Sequence, residues 1–217
     1  MSDVFLAVTA ISKSFNRRAI FSDISFELRS TQSLAVTGRN GSGKSTLLKI
    51  IAGTLTASKG KIEMREGGEP VPAVDHFNIL GFVAPYLQLY DEFTALENLE
   101  IIQKIRGIRA SRNELRALLD RVGLHRRGDD LLRTYSSGMK QRVKYAAAVA
   151  HRPPILLLDE PTSNLDAEGK TIIREVMEEQ RRNNILIIAT NETDELNVCE
   201  KVIELGANPE RPVGDPS

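Results

Sequence analysis

Between the apolar, β-branched run Ser33-Leu-Ala-Val-Thr37 and the apolar pattern beginning Thr46-Leu47-Leu48 lies Gly38-Arg39-Asn40-Gly41-Ser42-Gly43-Lys44-Ser45. Strand, glycine-rich turn, helix is the setting in which G-x-x-x-x-G-K-[ST] has a mechanism. The glycines let backbone N–H groups converge on one concavity at a helix N-terminus, where they cradle phosphate oxygens. Lys44 adds a cation for the β- and γ-phosphates, and the Ser45 hydroxyl is a ligand for Mg²⁺.

The rest of the chain repeats that unit. Ile155–Leu158 and Ile185–Ala189 also precede helical patterns, and the alternation predicts an α/β fold with a largely parallel sheet covered on both faces. Val4–Val8, Ala19–Phe21, Ile24–Leu28 and Lys61–Met64 read instead as short strands with turns between them, an antiparallel sheet packed on the main one. From Thr94 to Ala150 the pattern is helical, and Thr94-Ala-Leu-Glu97 and Ser111-Arg-Asn-Glu114 both have capping-box spacing. Gly67–Pro72 reads as a surface loop and Asn208–Ser217 as a frayed, proline-rich tail. A chain of 217 residues suits one core interrupted by a helical subdomain. The expected division is 1–84 and 152–206 in the core, 85–151 in the helical part, and 207–217 as tail.

Charge and composition remove several function classes. Twenty-nine Lys and Arg balance 29 Asp and Glu, so the cationic surplus that neutralises nucleic-acid phosphates is missing and no nucleic-acid partner is expected. A lone Cys199 closes no internal disulfide, and His76, His125 and His151 have no ligand spacing. The apolar runs fall far short of the roughly 20 residues that cross a bilayer, and the N-terminus has no signal-peptide pattern. The expectation is a chain of the reducing cytoplasm that is not itself a membrane path.

A second chemical feature follows the phosphate turn by about 115 residues. Ile155-Leu-Leu-Leu-Asp159-Glu160-Pro161 reads as a buried strand ending in two adjacent carboxylates. Asp159 can help hold Mg²⁺, while Glu160, one residue on, can accept a proton from an attacking water.

Tyr135-Ser136-Ser137-Gly138-Met139-Lys140-Gln141-Arg142 resembles the LSGGQ signature of ABC-type ATPases, and Ser163-Asn-Leu-Asp166 resembles their D-loop. With the two earlier motifs, the resemblance runs from about Phe5 to Leu205. It implies a P-loop NTPase with a RecA-like, mostly parallel sheet, a small antiparallel β-subdomain and an inserted helical subdomain. It implies ATP and Mg²⁺ as ligands, held by Gly38, Arg39, Asn40, Gly41, Ser42, Gly43, Lys44, Ser45 and Thr46, with Phe15 stacked on adenine unless it is a plain core phenylalanine. Two copies would pack head to tail, the Ser136, Ser137, Gly138 and Met139 signature of one closing over the ATP of the other. Asp166 would lie at that junction. The resemblance further implies a separate transmembrane permease and a peripheral position on the inner face of the cell membrane. Exporter subunits, and among them the haem exporters of cytochrome c maturation, are most similar through Tyr90–Leu99.

Three positions depart from the family pattern. Pro85 stands where a glutamine contacts metal and attacking water, and proline has no side-chain donor or acceptor. Gln88 is a possible replacement, although a solvated loop residue is the plainer reading. Asn191 stands where the switch histidine belongs; its amide can reach a γ-phosphate oxygen but carries no charge. Met139 replaces the signature's last polar residue. With Glu160 intact, hydrolysis is expected but slow. Phe82, Tyr86, Tyr90 and Phe93 crowd twelve residues of a chain with only seven Phe and four Tyr. They suit a groove for a permease helix, or else a local core. The alternatives are a nucleotide-gated switch with little hydrolysis and an ABC ATPase acting on DNA or ribosomes.

Overall fold

The computed structural model describes residues 3–206. In chain order the elements are β1 (Val4–Phe15), β2 (Arg18–Arg29), β3 (Ser33–Thr37), α1 (Lys44–Ile51), β4 (Lys59–Glu66), β5 (Glu69–Pro70), α2 (His76–Ile79), β6 (Leu80–Val83), α3 (Ala95–Ile105) and α4 (Arg112–Arg121). They continue with α5 (Ser137–Val149), β7 (Ile155–Asp159), α6 (Ala167–Asn183), β8 (Ile185–Ala189), α7 (Thr193–Leu196) and β9 (Lys201–Glu204). Five strands form one parallel sheet in the order β6-β7-β8-β3-β9, and four form a second sheet in the order β2-β1-β4-β5. The second sheet is antiparallel throughout.

Every residue of β7 and β8 is buried, as in a parallel sheet covered on both faces. Period-two alternation sorts them between two cores. Ile155, Leu157, Ile185 and Ile187 join Leu47, Leu48 and Ile51 of α1 and the inner face of the antiparallel sheet. Leu156, Leu158, Leu186 and Ile188 join Tyr145, Ala146 and Val149 of α5 and Ile173 and Met177 of α6. Fully burying one such side chain is worth about 1.5–3 kcal/mol, so the pattern fixes which way each strand faces.

Both capping boxes are made. Thr94 Oγ1 accepts from Glu97 N while Glu97 Oε2 accepts from Thr94 N; Ser111 and Glu114 do the same. Two expectations need correction. The N-terminal region is one long hairpin, β1 and β2 having twelve residues each, with Asn16 and Arg17 at positive φ in its two-residue turn. Bulges shift the register around Ala10 and Asp23, both at positive φ, so the alternation breaks and reads as separate strands. The Gly67–Pro72 stretch is exposed for most of its length but is no plain loop: Glu69 and Pro70 pair with Glu66 and Arg65. The tail expected to fray lies outside the described residues.

Candidate active site

Parallel strands deliver their C-terminal ends to one edge of the sheet. Val36 lies opposite Ala189, and Ala189 opposite Asp159. The residues that follow each strand therefore emerge side by side: Gly38 after β3, Asn191 after β8 and Glu160 after β7. Sequence positions more than a hundred residues apart meet because the register aligns the strand ends.

The glycine turn wraps a hollow of about 260 Å³ walled by Ile20, Asn40, Gly41, Gly43, Lys44, Ser45, Thr46 and Glu160. Gly38 has φ +136°, and a Cβ there would sit 2.3 Å from the carbonyl oxygen of Leu205. Only glycine fits that backbone. Gly41 has φ +82° and faces open space, with nothing within 4 Å of the position a Cβ would take. Lys44 is nearly buried, and its ammonium folds back onto the carbonyl oxygen of Gly38 at 2.7 Å.

Asp159 ends β7 almost fully buried, and its Oδ1 accepts a hydrogen bond from Ser45 Oγ at 3.0 Å. Burial above all, and then the charge of Glu160, holds its carboxyl above the usual range. The Ser45 bond and the cations of Lys49 and Lys44 pull the other way. A carboxylate disfavoured as an anion gains most from a cation brought beside it. One hydroxyl and one carboxylate fit Mg²⁺, which takes one or two protein oxygens and completes its shell with water and phosphate. Among the described residues no group of three or more His, Cys, Asp or Glu side chains could hold a metal alone.

Glu160 differs from its neighbour. It lies past the strand end at φ +48°, solvent-exposed, its N–H donating to Ala189 O at 2.9 Å. It contributes to the wall of the phosphate-turn hollow and of a second one of about 390 Å³. A carboxylate so placed can take a proton from a water held in either space. Asn191 is tied to the turn: its Oδ1 accepts from Gly38 N and Thr37 Oγ1, both at 3.3 Å, and its Nδ2 donates to Asn40 Oδ1 at 3.3 Å.

The signature residues stand apart from this group. Ser136 caps α5, its Oγ accepting from Met139 N at 3.2 Å. Ser137 borders a different hollow, of about 360 Å³, with Pro85, Gln88, Lys140 and Asn164. Gly138 packs closely on Asn164, where a Cβ would meet the carbonyl oxygen at 3.2 Å. Asp166 caps α6 by accepting from Gly169 N at 2.8 Å. Gln88 is exposed and borders that signature-side hollow, so the solvated-loop reading describes it. Phe15 is 46% exposed, with the Lys13 ammonium 4.7 Å from its ring centroid, which overturns the core-phenylalanine reading.

Ile20 gave no signal in the sequence, and Tyr86 only a compositional one. Ile20 walls the phosphate hollow because the β2 strand passes under the turn. Tyr86, one residue past Pro85, lies with its ring 3.9 Å from the Lys49 ammonium. Burial, and then the charge of Asp159, pushes its hydroxyl well above the usual tyrosine range. Only the compositional crowding of aromatics pointed to that segment.

The family model described as ABC transporter matches residues 21–163. An uncharacterized ABC transporter ATP-binding protein of Bacillus subtilis, YxlF, is 31% identical over 91% of this chain, which spans 66% of that relative's length. A lipoprotein-releasing system ATP-binding protein, LolD 2 of Rhodospirillum rubrum, is 34% identical, covering 90% of this chain and 91% of its own. The ATP-binding cassette MJ0796, whose structure is a dimer in a post-hydrolysis state bound to ADP and Pi, superposes with a TM-score of 0.79 at 23% identity over 92% of this chain and 94% of its own. Sequence match and superposition agree, and the chain belongs to the ABC transporter family as an ATP-binding, ATP-hydrolysing subunit.

Proposed function

We propose that this chain binds ATP in the hollow of the Gly38–Ser45 turn, dimerises around it, and uses its hydrolysis to drive export through a separate membrane permease. The observation that carries the reading is the placement of two half-sites. The turn, Asp159, Glu160 and Asn191 share one edge of the sheet, whereas Ser137, at the capped N-terminus of α5, borders a different hollow. A helix N-terminus is an anion-binding surface, and the phosphate turn of the same chain lies in a different hollow. A second copy turned head to tail supplies an anion to it, and the dimeric MJ0796 cassette is a precedent for such pairing.

In this reading Lys44 and the turn amides hold the β- and γ-phosphates, with Arg39, Asn40, Ser42 and Thr46 shaping the loop and Phe15 free to stack on the base. Ser45 and Asp159 hold Mg²⁺, which when bound neutralises charge on the phosphates. Glu160 accepts a proton as water oxygen bonds to the γ-phosphorus and the bridging bond to ADP breaks. Asn191 meets a γ-phosphate oxygen through its amide, and Asp166 lies toward the partner copy.

Tyr86, Tyr90 and Phe93 are 43%, 58% and 39% exposed, which favours the groove reading for them, whereas Phe82 is half-buried and packs on the core. That exposure supports contact with a permease helix and a position at the inner face of the cell membrane. No helix of the described residues is long and apolar enough to cross a membrane. Export is supported by the likeness of Tyr90–Leu99 to exporter subunits and by the lipoprotein-releasing relative; haem is the first cargo to test.

Single-turnover hydrolysis with a Glu160→Gln control tests the reading. The wild type should release phosphate about 10²–10⁴-fold faster than the variant. Equal rates would favour the nucleotide-gated switch, which Pro85 and the uncharged Asn191 also suit.

A further inference from the structure

The second hollow beside Glu160 and Asn191 also has Thr162, Glu192 and Glu195 in its wall. Glu195, on α7, is 3% exposed. Burying a carboxylate is costly unless it is hydrogen-bonded, and here all the bonding falls on one residue. The N–H of Thr162 donates to Glu195 Oε1 at 2.9 Å, and the Thr162 hydroxyl donates to the same oxygen at 2.5 Å. Oε2 is buried with no partner.

The two ends of this contact matter by position. Thr162 is two residues past Glu160, and Glu195 is four past Asn191. The turn after Glu160 is also held by Tyr145 Oη donating to Pro161 O at 2.8 Å, by Ser163 Oγ and Ser163 N donating to Glu160 O at 2.9 and 3.2 Å, and by Glu160 N donating to Ala189 O, but among the described residues Glu195 is the one side chain that reaches Thr162 from the Asn191 segment. Glu160 itself sits at φ +48°, a conformation a glutamate keeps only where its surroundings impose it. On the other side, Asn191 is bonded to Gly38 and Asn40 of the phosphate turn. Hydrogen bonds thus join Gly38 to Asn191 and Thr162 to Glu195, while the chain itself carries Asn191 to Glu195 and Glu160 to Thr162.

We propose that Glu195 is a positioning residue that ties the turn carrying Glu160 to the segment carrying Asn191, so that both keep a fixed place relative to the terminal phosphate. This rests on the roles given above to Glu160 and Asn191. Misplacing a reacting group by about 1 Å costs about 10²-fold in rate. The tether bears on the chemical step, and neither Glu195 nor Thr162 lines the hollow that holds Lys44.

The test compares Glu195→Ala, Glu195→Gln, Thr162→Val and the Glu195→Ala/Thr162→Val double variant by kcat, KM, affinity for a fluorescent ATP analogue, and Tm. Glu195→Ala should lower kcat about 10–100-fold with KM and nucleotide affinity unchanged. Glu195→Gln keeps Oε1 and replaces only the unpartnered Oε2, so it should restore kcat. The double variant should be no slower than Glu195→Ala alone, because both changes cut one contact. Wild-type kcat in Glu195→Ala, a Gln variant as slow as the Ala variant, or additive losses would each overturn the proposal. Should Glu195→Ala fail to fold, Glu195→Asp, whose shorter side chain withdraws the carboxylate from both Thr162 donors, carries the same test, and a wild-type kcat there overturns it. A wild-type chain that does not hydrolyse ATP fails the underlying reading, a result obtained without any variant.

Discussion

Replacing Gly38 and Gly41 separately by alanine makes the same chemical change at two points of one turn, and the structure assigns them different penalties. At Gly41 the added methyl meets nothing within 4 Å, and the only cost is holding an L-residue at φ +82°, about 1–2 kcal/mol. At Gly38 the methyl lands 2.3 Å from Leu205 O, a backbone atom that must move, at φ +136°. Backbone strain of about 1–3 kcal/mol and overpacking of about 1–3 kcal/mol sum to about 2–6 kcal/mol. With a urea m-value of about 2 kcal/mol/M, the unfolding midpoint falls by about 0.5–1 M for Gly41→Ala and about 1–3 M for Gly38→Ala. Nucleotide affinity separates them on a second axis. Gly41 lines the hollow that the phosphates are proposed to fill, where added bulk and a shifted amide compete with phosphate, so Gly41→Ala should lose at least about tenfold in affinity, about 1.4 kcal/mol, despite its small effect on folding. Urea melts and titration with a fluorescent ATP analogue measure both. Equal destabilisation by the two variants would refute the steric argument, and wild-type affinity in Gly41→Ala would remove the phosphates from that space.

Two further predictions concern imidazoles, one absent and one present. Asn191→His places an acceptor for Gly38 N and a donor for phosphate on one ring; kcat should rise about tenfold, the scale of one hydrogen bond to a charged group, and an unchanged kcat puts the bottleneck elsewhere. His151 has its pKa lowered from 6.5 to about 4 by burial first and the Arg106 charge second, against the bond of its Nε2 to Leu80 O. The unfolded chain therefore binds the proton near pH 6.5 and the folded chain only near pH 4, so stability is complete above the first value and lost as pH falls toward the second. The ring is partly exposed, which discounts the effect to about 1–2 kcal/mol. His151→Gln should flatten the slope of unfolding free energy across that window; identical slopes would refute the assignment.

What the sequence made legible was whatever one strand or one turn encodes by itself. The glycine turn, the buried β7 and β8 strands and both capping boxes depend on neighbours within a few positions, and each has a pattern that only one local structure satisfies. Contacts between distant segments had no such pattern. Thr162 and Glu195 are 33 residues apart and meet only because β7 and β8 are adjacent and in register. Tyr86 approaches Asp159 because β6 pairs with β7 and places the residue after Pro85 near the strand end. Phe15 was ambiguous for a different reason: the bulged β1 strand does not alternate, so nothing in the sequence told which face it takes.

The adjacent pair Asp159 and Glu160 shows how register assigns chemistry. Both are carboxylates of nearly the same intrinsic strength, yet one is sealed against Ser45 and the other stands in an open hollow. The difference is one position along the chain. Asp159 is the last paired residue of β7, fixed opposite Ala189, whereas Glu160 is the first one off the strand and turns through φ +48°. Sliding β7 by a single residue would point Leu156 and Leu158 into the core that now receives Ile155 and Leu157, and would move the wrong carboxylate to Ser45. Apolar residues of the strand thus hold the two acids in their separate environments: the packing that stabilises the sheet also sets which carboxylate is placed for a metal and which for a proton.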